Sequence, residues 1–168
     1  MRKDGLSGKK GNAILDTTTI VVLLVIFAVI SVIGRFILND INTDVQADAD
    51  MSAGAKTALG TVNTTYPTAM DAAIILAFVL LWIFALVSSF LIDTHPAMMA
   101  VAIILMIFLV LISAMLANTY EDIVTDEGIA GPTYFPLTTF LMKHLVQYFI
   151  VVCASVMIVL YGKSRAGE

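Results

Sequence analysis

Charged residues are scarce in this chain, and they are scarcest where apolar residues are densest. Of 168 residues, 13% are charged and 60% are hydrophobic. From Ala72 to Ala117 the only charge-capable side chains are Asp93 and His95. A water-soluble domain of this length carries more charge, so the composition excludes an ordinary soluble protein and predicts residence in a lipid bilayer.

Cysteine and recognisable catalytic motifs are also scarce. The single cysteine, Cys153, lies in an apolar run, which excludes a disulfide framework and the paired-cysteine spacing of a metal site. The sequence has no glycine-rich phosphate loop, nucleophile elbow, zinc-protease helix or basic nucleic-acid patch. We therefore expect no enzymatic activity, no cofactor or metal, and no nucleic-acid partner.

Four long apolar runs are present instead. A helix needs about 20 apolar residues to cross the hydrocarbon core, and in lipid a helix satisfies its own backbone hydrogen bonds. The sequence therefore predicts an all-α fold, with residues 1–168 forming a single integral membrane domain of four transmembrane helices. The predicted spans are about 17–38, 72–92, 97–117 and 145–161.

The distribution of charge predicts the topology. Four spans place both termini on one side, where six basic residues outnumber four acids, whereas three basic residues and nine acids belong to the other side. The positive-inside rule makes the terminal side cytoplasmic, or interior in a virus particle. The acidic segments 39–71 and 118–139 are then predicted to be loops on the opposite face.

The first acidic segment is predicted to be mainly loop. From Met51 onward, small and apolar residues recur at roughly helical spacing, which indicates one short amphipathic helix. Gly60 and Pro67 are expected to interrupt it. Thr68 or Asp71 is expected to cap the second span.

The break Asp93-Thr94-His95-Pro96 is predicted to be a tight turn that joins spans two and three as a hairpin. Proline suits the first turn of a helix because it lacks a donor that would be unpaired there. The alternative is a proton relay or half of a metal site formed by Asp93 and His95. One histidine and one carboxylate do not complete a metal site, so the turn is preferred.

Few polar side chains occur in the spans. Arg35 and Lys143 are expected to snorkel to the headgroups, and Lys143 alternatively to meet Glu121 or Asp122. Trp82 lies at mid-span and is expected to face another helix, where its indole N–H finds a partner. So few ionisable groups argue against a proton-coupled transporter.

The two acidic segments are the candidate partner-contact regions, because binding residues concentrate on loops held by a rigid scaffold. The predicted contact residues are Asp44, Asp48, Asp50, Tyr120, Glu121, Asp122, Phe135 and Pro136.

Several fragments resemble small multi-pass virion membrane proteins of membrane-containing microbial viruses. The fragments are Leu91-Ile92-Asp93-Thr94-His95-Pro96, Asn118-Thr119-Tyr120-Glu121-Asp122, Phe135-Pro136 followed by Phe140 and His144, and Tyr161-Gly162-Lys163. The resemblance implies a component of a lipid layer that lies beneath a capsid shell.

The preferred function is therefore structural: an integral protein of a virion or host-cell membrane that packs with copies of itself or with other membrane or capsid proteins. One alternative is a holin-like protein that opens lesions, which predicts a strongly polar helix face. Another is a small channel or transport accessory subunit, which predicts a polar cavity. The serines of the spans are too scattered to outline such a cavity.

Overall fold

The computed structural model describes residues 13–91, 96–125 and 131–166. Within these ranges the chain forms six α-helices and no strand, so the predicted all-α fold class is confirmed. The helices are α1 (Ala13–Ala47), α2 (Ala53–Leu91), α3 (Pro96–Val124), α4 (Gly131–Tyr134), α5 (Pro136–Lys143) and α6 (Leu145–Ala166).

Four of these helices are long and apolar enough to cross a membrane. The candidate spans are Thr19–Ala47, Ala53–Phe90, Ile103–Val124 and Leu145–Lys163, and they fall in α1, α2, α3 and α6. Each contains most or all of one predicted apolar run. The chain is therefore a helical, multi-pass membrane protein.

The four long helices pack in a ring, in which α1 contacts α2, α2 contacts α6, α6 contacts α3 and α3 contacts α1. Hydrogen bonds from Arg35 to Asn63 and from Gln46 to Lys56 show that α1 and α2 run antiparallel. Bonds that join Trp82 to Ser155 and Lys163 to Phe90 show that α2 and α6 run parallel.

The buried core is a narrow set of side chains on the faces where the helices contact one another. In α1 the buried residues Val21, Val25, Ala28 and Val32 recur every three or four positions and form one stripe. Large apolar residues on the outer faces remain exposed, for example Ile158, which is 72% exposed. Such a surface is stable when lipid covers it.

The helices extend beyond the predicted spans, which corrects the prediction of long loops. The segment 39–71 is helical except for the connection 48–52, because α1 continues to Ala47 and α2 begins at Ala53. Gly60 and Pro67 lie inside α2 and do not end it. The physical reason is tertiary: the polar halves of α1 and α2 pack on each other, and this packing overrides the local helix-breaking signals.

The second acidic segment also contains more helix than predicted. α3 continues to Val124, and α4 and α5 occupy 131–134 and 136–143. Thr125 and Phe135 are not helical, and residues 126–130 lie outside the described residues.

The predicted turn between spans two and three lies largely outside the described residues as well. This applies to Asp93, Thr94 and His95. The helix that follows begins at Pro96, the first-turn position expected of a proline.

Candidate functional site

One acidic side chain of the bundle is buried. Asp71, in α2, is 5% exposed. Its two oxygens accept hydrogen bonds from the backbone N–H groups of Leu137 (3.1 Å) and Thr138 (2.7 Å). These are the amides of the second and third residues of α5, so Asp71 caps the N-terminus of a helix that is distant in sequence.

The local sequence of α5 explains why it needs this cap. The residue at its N-cap position is Phe135, which has no side-chain acceptor, and Pro136 at the first position has no N–H group. The next two amides would be unpaired without Asp71, and a carboxylate also interacts favourably with the positive end of the helix dipole. The expectation that Asp71 caps its own span is therefore wrong, because α2 begins 18 residues earlier, at Ala53.

The same region links α3 to α5. Tyr120 is fully buried, and its hydroxyl lies 3.2 Å from Oγ1 of Thr139 in a hydrogen bond. Thr138 is also fully buried, and its Oγ1 makes no hydrogen bond to the described residues. Asp71, Tyr120 and the two threonines thus place polar groups of α2, α3 and α5 in one buried cluster, which we call the Asp71 cluster.

Arg35 forms a second buried polar contact. Its side chain is 6% exposed, its Nη1 donates to Oδ1 of Asn63 at 2.7 Å, and its guanidinium lies 4.2 Å from the ring centroid of Tyr134. These contacts connect α1 to α2 and α4. The expectation that Arg35 snorkels is therefore wrong: an amide acceptor and an aromatic face are available inside the protein.

A close approach of α1 and α2 lies beside Arg35. The hydroxyl of Tyr66 donates to the carbonyl of Ser31 at 3.3 Å. Gly34 makes room for it, since a Cβ atom on Gly34 would lie 3.0 Å from that hydroxyl.

Two predicted side-chain contacts at the spans are confirmed. Trp82 Nε1 donates to Oγ of Ser155 at 3.0 Å, so the mid-span indole does face another helix. Lys143 lies 3.8 Å from Glu121, one of the two acids proposed for it.

The predicted partner-contact residues divide into two groups. Asp44, Asp48, Asp50, Glu121, Asp122 and Pro136 are exposed, whereas Tyr120 and Phe135 are fully buried. For these two, the expectation of contact with a partner is replaced by a packing role, because an aromatic side chain gains more from burial inside the bundle than from exposure at its end.

The structure brings the exposed acids of the first segment together on one helical hairpin. We call it the acidic hairpin: the end of α1 after Arg35, the connection 48–52 and the start of α2 up to Asn63. Arg35 to Ala47 is 12 helical residues, or about 18 Å at 1.5 Å per residue. Gln46 Nε2 donates to the carbonyl of Lys56 at 2.8 Å, and Lys56 Nζ donates to the carbonyl of Gln46 at 3.0 Å, which ties its two arms together.

Within residues 13–91, 96–125 and 131–166, the serines and the cleft described next do not outline a polar path across the membrane. Ser31, Ser89, Ser113 and Ser155 each donate to a carbonyl of their own helix, at 2.6–2.8 Å. A cleft of about 480 Å³ between α3 and α6 is lined by apolar side chains together with Cys153. Its lining suits lipid chains and not a polar solute.

Sequence reasoning missed the Asp71 cluster. Asp71 precedes the apolar run directly, so hydropathy places it outside the span. One signal was present: Phe135-Pro136 begins a helix with no acceptor at its N-cap, so that helix required a cap from elsewhere.

The buried side chains of Asp71 and Arg35 both connect helices. The oxygens of Asp71 accept hydrogen bonds from backbone amides of α5, and Arg35 donates to Asn63 and stacks on Tyr134. In the part of the chain that the structure describes, no group of three or more His, Cys, Asp or Glu side chains could hold a metal ion. Comparison with protein-family models, curated proteins and solved structures found no match to this chain.

Proposed function

We propose that this protein is a structural component of a membrane, whose bundle anchors the acidic hairpin so that the hairpin contacts a basic protein layer. The observation that carries the proposal is the exposure of Asp40, Asp44, Asp48 and Asp50 on a helical hairpin of about 18 Å. The proposal assigns the chain no catalytic step.

The charge of the hairpin supports a basic partner. Four carboxylates are exposed there, whereas the amine of Lys56 donates to a backbone carbonyl within the hairpin. Asp40 and Asp44 are four helical residues apart, or about 6 Å along α1, which is less than the ~8 Å screening length at physiological salt. Such a patch steers and orients a partner with positive side chains, and it repels anionic lipid headgroups.

The rigidity of the bundle also supports a scaffold. Arg35 and the Asp71 cluster use buried polar groups to connect α1, α2, α3, α4 and α5 at the end that bears the hairpin. A fixed hairpin loses less conformational entropy on binding than a flexible loop does.

We further propose that both termini lie on the opposite, cytoplasmic or interior side and that the membrane is that of a virion, where a capsid shell would be the basic layer. The antiparallel direction of α1 and α2 and the parallel direction of α2 and α6 support the shared side of the termini. Self-association within the membrane would array many hairpins beneath the shell.

Fractionation tests the location. Purified virus particles and purified host membranes are compared for the protein, and its enrichment in particles is expected. Detection in cell membranes alone would refute the virion role. Abrupt loss of membrane potential at a fixed time of expression would support the holin-like alternative instead.

Zero-length carbodiimide cross-linking tests the contact. In particles, links from Asp44, Asp48 or Asp50 to lysines of another protein are expected. The triple variant Asp44→Asn, Asp48→Asn, Asp50→Asn should lose them, whereas Thr43→Ala, Thr57→Ala, Thr61→Ala, at exposed positions of the same hairpin, should keep them. Equal cross-linking of both variants would refute the acidic contact.

A further inference from the structure

The short helix α5 buries two threonines beside Met142 and exposes two large apolar side chains. Thr138 and Thr139 are 0% and 4% exposed, whereas Leu137 and Phe140 are 54% and 65% exposed. A helix at the surface of a protein in water shows the opposite arrangement. The outward face of α5 therefore requires an apolar environment.

The depth of α5 in the bilayer follows from the lengths of α2 and α6. Lys163 Nζ donates to the carbonyl of Phe90, which puts the ends of α2 and α6 at one level. From Phe90 back to Asp71 is 19 helical residues, or about 28 Å. From Lys163 back to Leu145, the first residue of α6, is 18 helical residues, or about 27 Å, and Lys143 precedes Leu145 by two residues.

Asp71 holds the first turn of α5, and Lys143 is its last residue. Both ends of α5 therefore lie at about the same depth, about 30 Å from the level of Lys163, and this equals the thickness of the hydrocarbon core. The hydrogen bond between Trp82 and Ser155 agrees with this register, because Trp82 lies eight residues before Phe90 and Ser155 lies eight residues before Lys163.

We propose that α5 lies along the boundary between headgroups and acyl chains, in the leaflet nearest the acidic hairpin, with Leu137 and Phe140 inserted among the acyl chains. Lipid is the occupant because α5 lies at the depth of the hydrocarbon boundary and exposes large apolar side chains there. Farther into the hydrocarbon core, Ile150 and Val151 of α6 are likewise 51% and 53% exposed. Amphipathic helices bind at this depth through their apolar face.

The polar groups at the end of α5 fit the same position. Lys143 is exposed and lies beside Glu121, and His144 lies with its ring 4.4 Å from the ring of Phe140. Charged and aromatic groups of this kind are typical of the headgroup level. Among the described residues, α5 thus adds to the area that the four spans occupy in this leaflet.

Spin-label accessibility in lipid bilayers tests the proposal. In a Cys153→Ala background, single labels are placed by Leu137→Cys and Phe140→Cys. Ile158→Cys is the lipid-facing control, and Thr61→Cys is the water-facing control on the hairpin. We expect the labels at 137 and 140 to collide more with oxygen than with a water-soluble nickel complex, as at 158.

Either of two results would overturn the proposal. Labels at 137 and 140 that favour nickel, as at 61, would place α5 in water. Labels shielded from both reagents would show that a protein covers this face.

A second measurement guards against a disturbed fold. Phe140→Trp in a Trp82→Phe background, reconstituted with lipids brominated on the acyl chains, should lose fluorescence relative to unbrominated lipid. Thr61→Trp in the same background should not. Equal intensity in both lipids for the tryptophan at 140 would contradict insertion.

Discussion

Replacing Asp71 by alanine should release the first turn of α5 while the rest of the bundle persists. The substitution removes both acceptors of the Leu137 and Thr138 amides, and no residue of the α5 N-terminus can replace them. Asp71→Asn is the matched variant, because an amide side chain keeps one acceptor oxygen of similar size.

The expected loss of α5 stability follows from the backbone amides that the substitution leaves unpaired. The amide of Thr138 is buried and that of Leu137 partly buried. An unsatisfied buried donor costs about 1–3 kcal/mol. We expect Asp71→Ala to destabilise α5 by about 2–4 kcal/mol and Asp71→Asn by about half of that, whereas Asp44→Ala, at an exposed position, should change stability by under about 0.5 kcal/mol.

Amide hydrogen exchange of the protein in lipid nanodiscs measures this directly, because it reports the opening of each helix separately. At tenfold per 1.4 kcal/mol, the protection of the Leu137 and Thr138 amides should fall by roughly 30- to 1,000-fold in Asp71→Ala. Protection at mid-span, for example at Phe78, should remain.

The capping role would be refuted if the Leu137 and Thr138 amides of Asp71→Ala kept exchange protection within threefold of that in the original protein. Equal losses in Asp71→Asn and Asp71→Ala would also refute it, because the remaining oxygen of asparagine is expected to keep one bond.

Three other contacts give quantitative expectations for unfolding in mixed micelles. Trp82→Phe and Ser155→Ala should show a coupling energy of about 0.5–1.5 kcal/mol in a double-mutant cycle, and strictly additive effects would deny the hydrogen bond between the two helices. Gly34→Ala should lower the free energy of unfolding by about 0.5–1.5 kcal/mol less in a Tyr66→Phe background than in the original protein, because the added Cβ then displaces no hydroxyl. Identical changes in both backgrounds would count against the close approach. Lys143→Ala should destabilise by less than about 1 kcal/mol, since its pair with Glu121 is about half exposed, and a loss above about 2 kcal/mol would show that the pair is stronger than its geometry suggests.

The spans could be predicted from sequence because hydropathy reports directly on the lipid environment. For the same reason, the sequence predicts that Trp82 contacts another helix, because an indole N–H in hydrocarbon needs a hydrogen-bond acceptor there. The identity of that acceptor, Ser155, depends on the register of α2 and α6, which no local pattern encodes.

The helical arms of the acidic hairpin could not be predicted from hydropathy, because hydropathy marks lipid contact and not helix length. Pro67 was expected to end a helix, yet α2 passes through it with tertiary support from α1. Hydropathy places Arg35 at the headgroups and Asp71 in a loop, because each residue lies at the edge of an apolar run. Their burial depends on α4 and α5, which pack against them from distant parts of the chain.

The proposed scaffold requires that the acidic hairpin and the C-terminus lie on opposite sides of the membrane. Labelling with a membrane-impermeant maleimide tests this in sealed, oriented vesicles of the Cys153→Ala protein that carry either Asp50→Cys or Arg165→Cys. Labelling of position 50 from one side only, and of position 165 from the other side only, is expected. Labelling of both positions from the same side would contradict the proposed topology and, with it, the scaffold function.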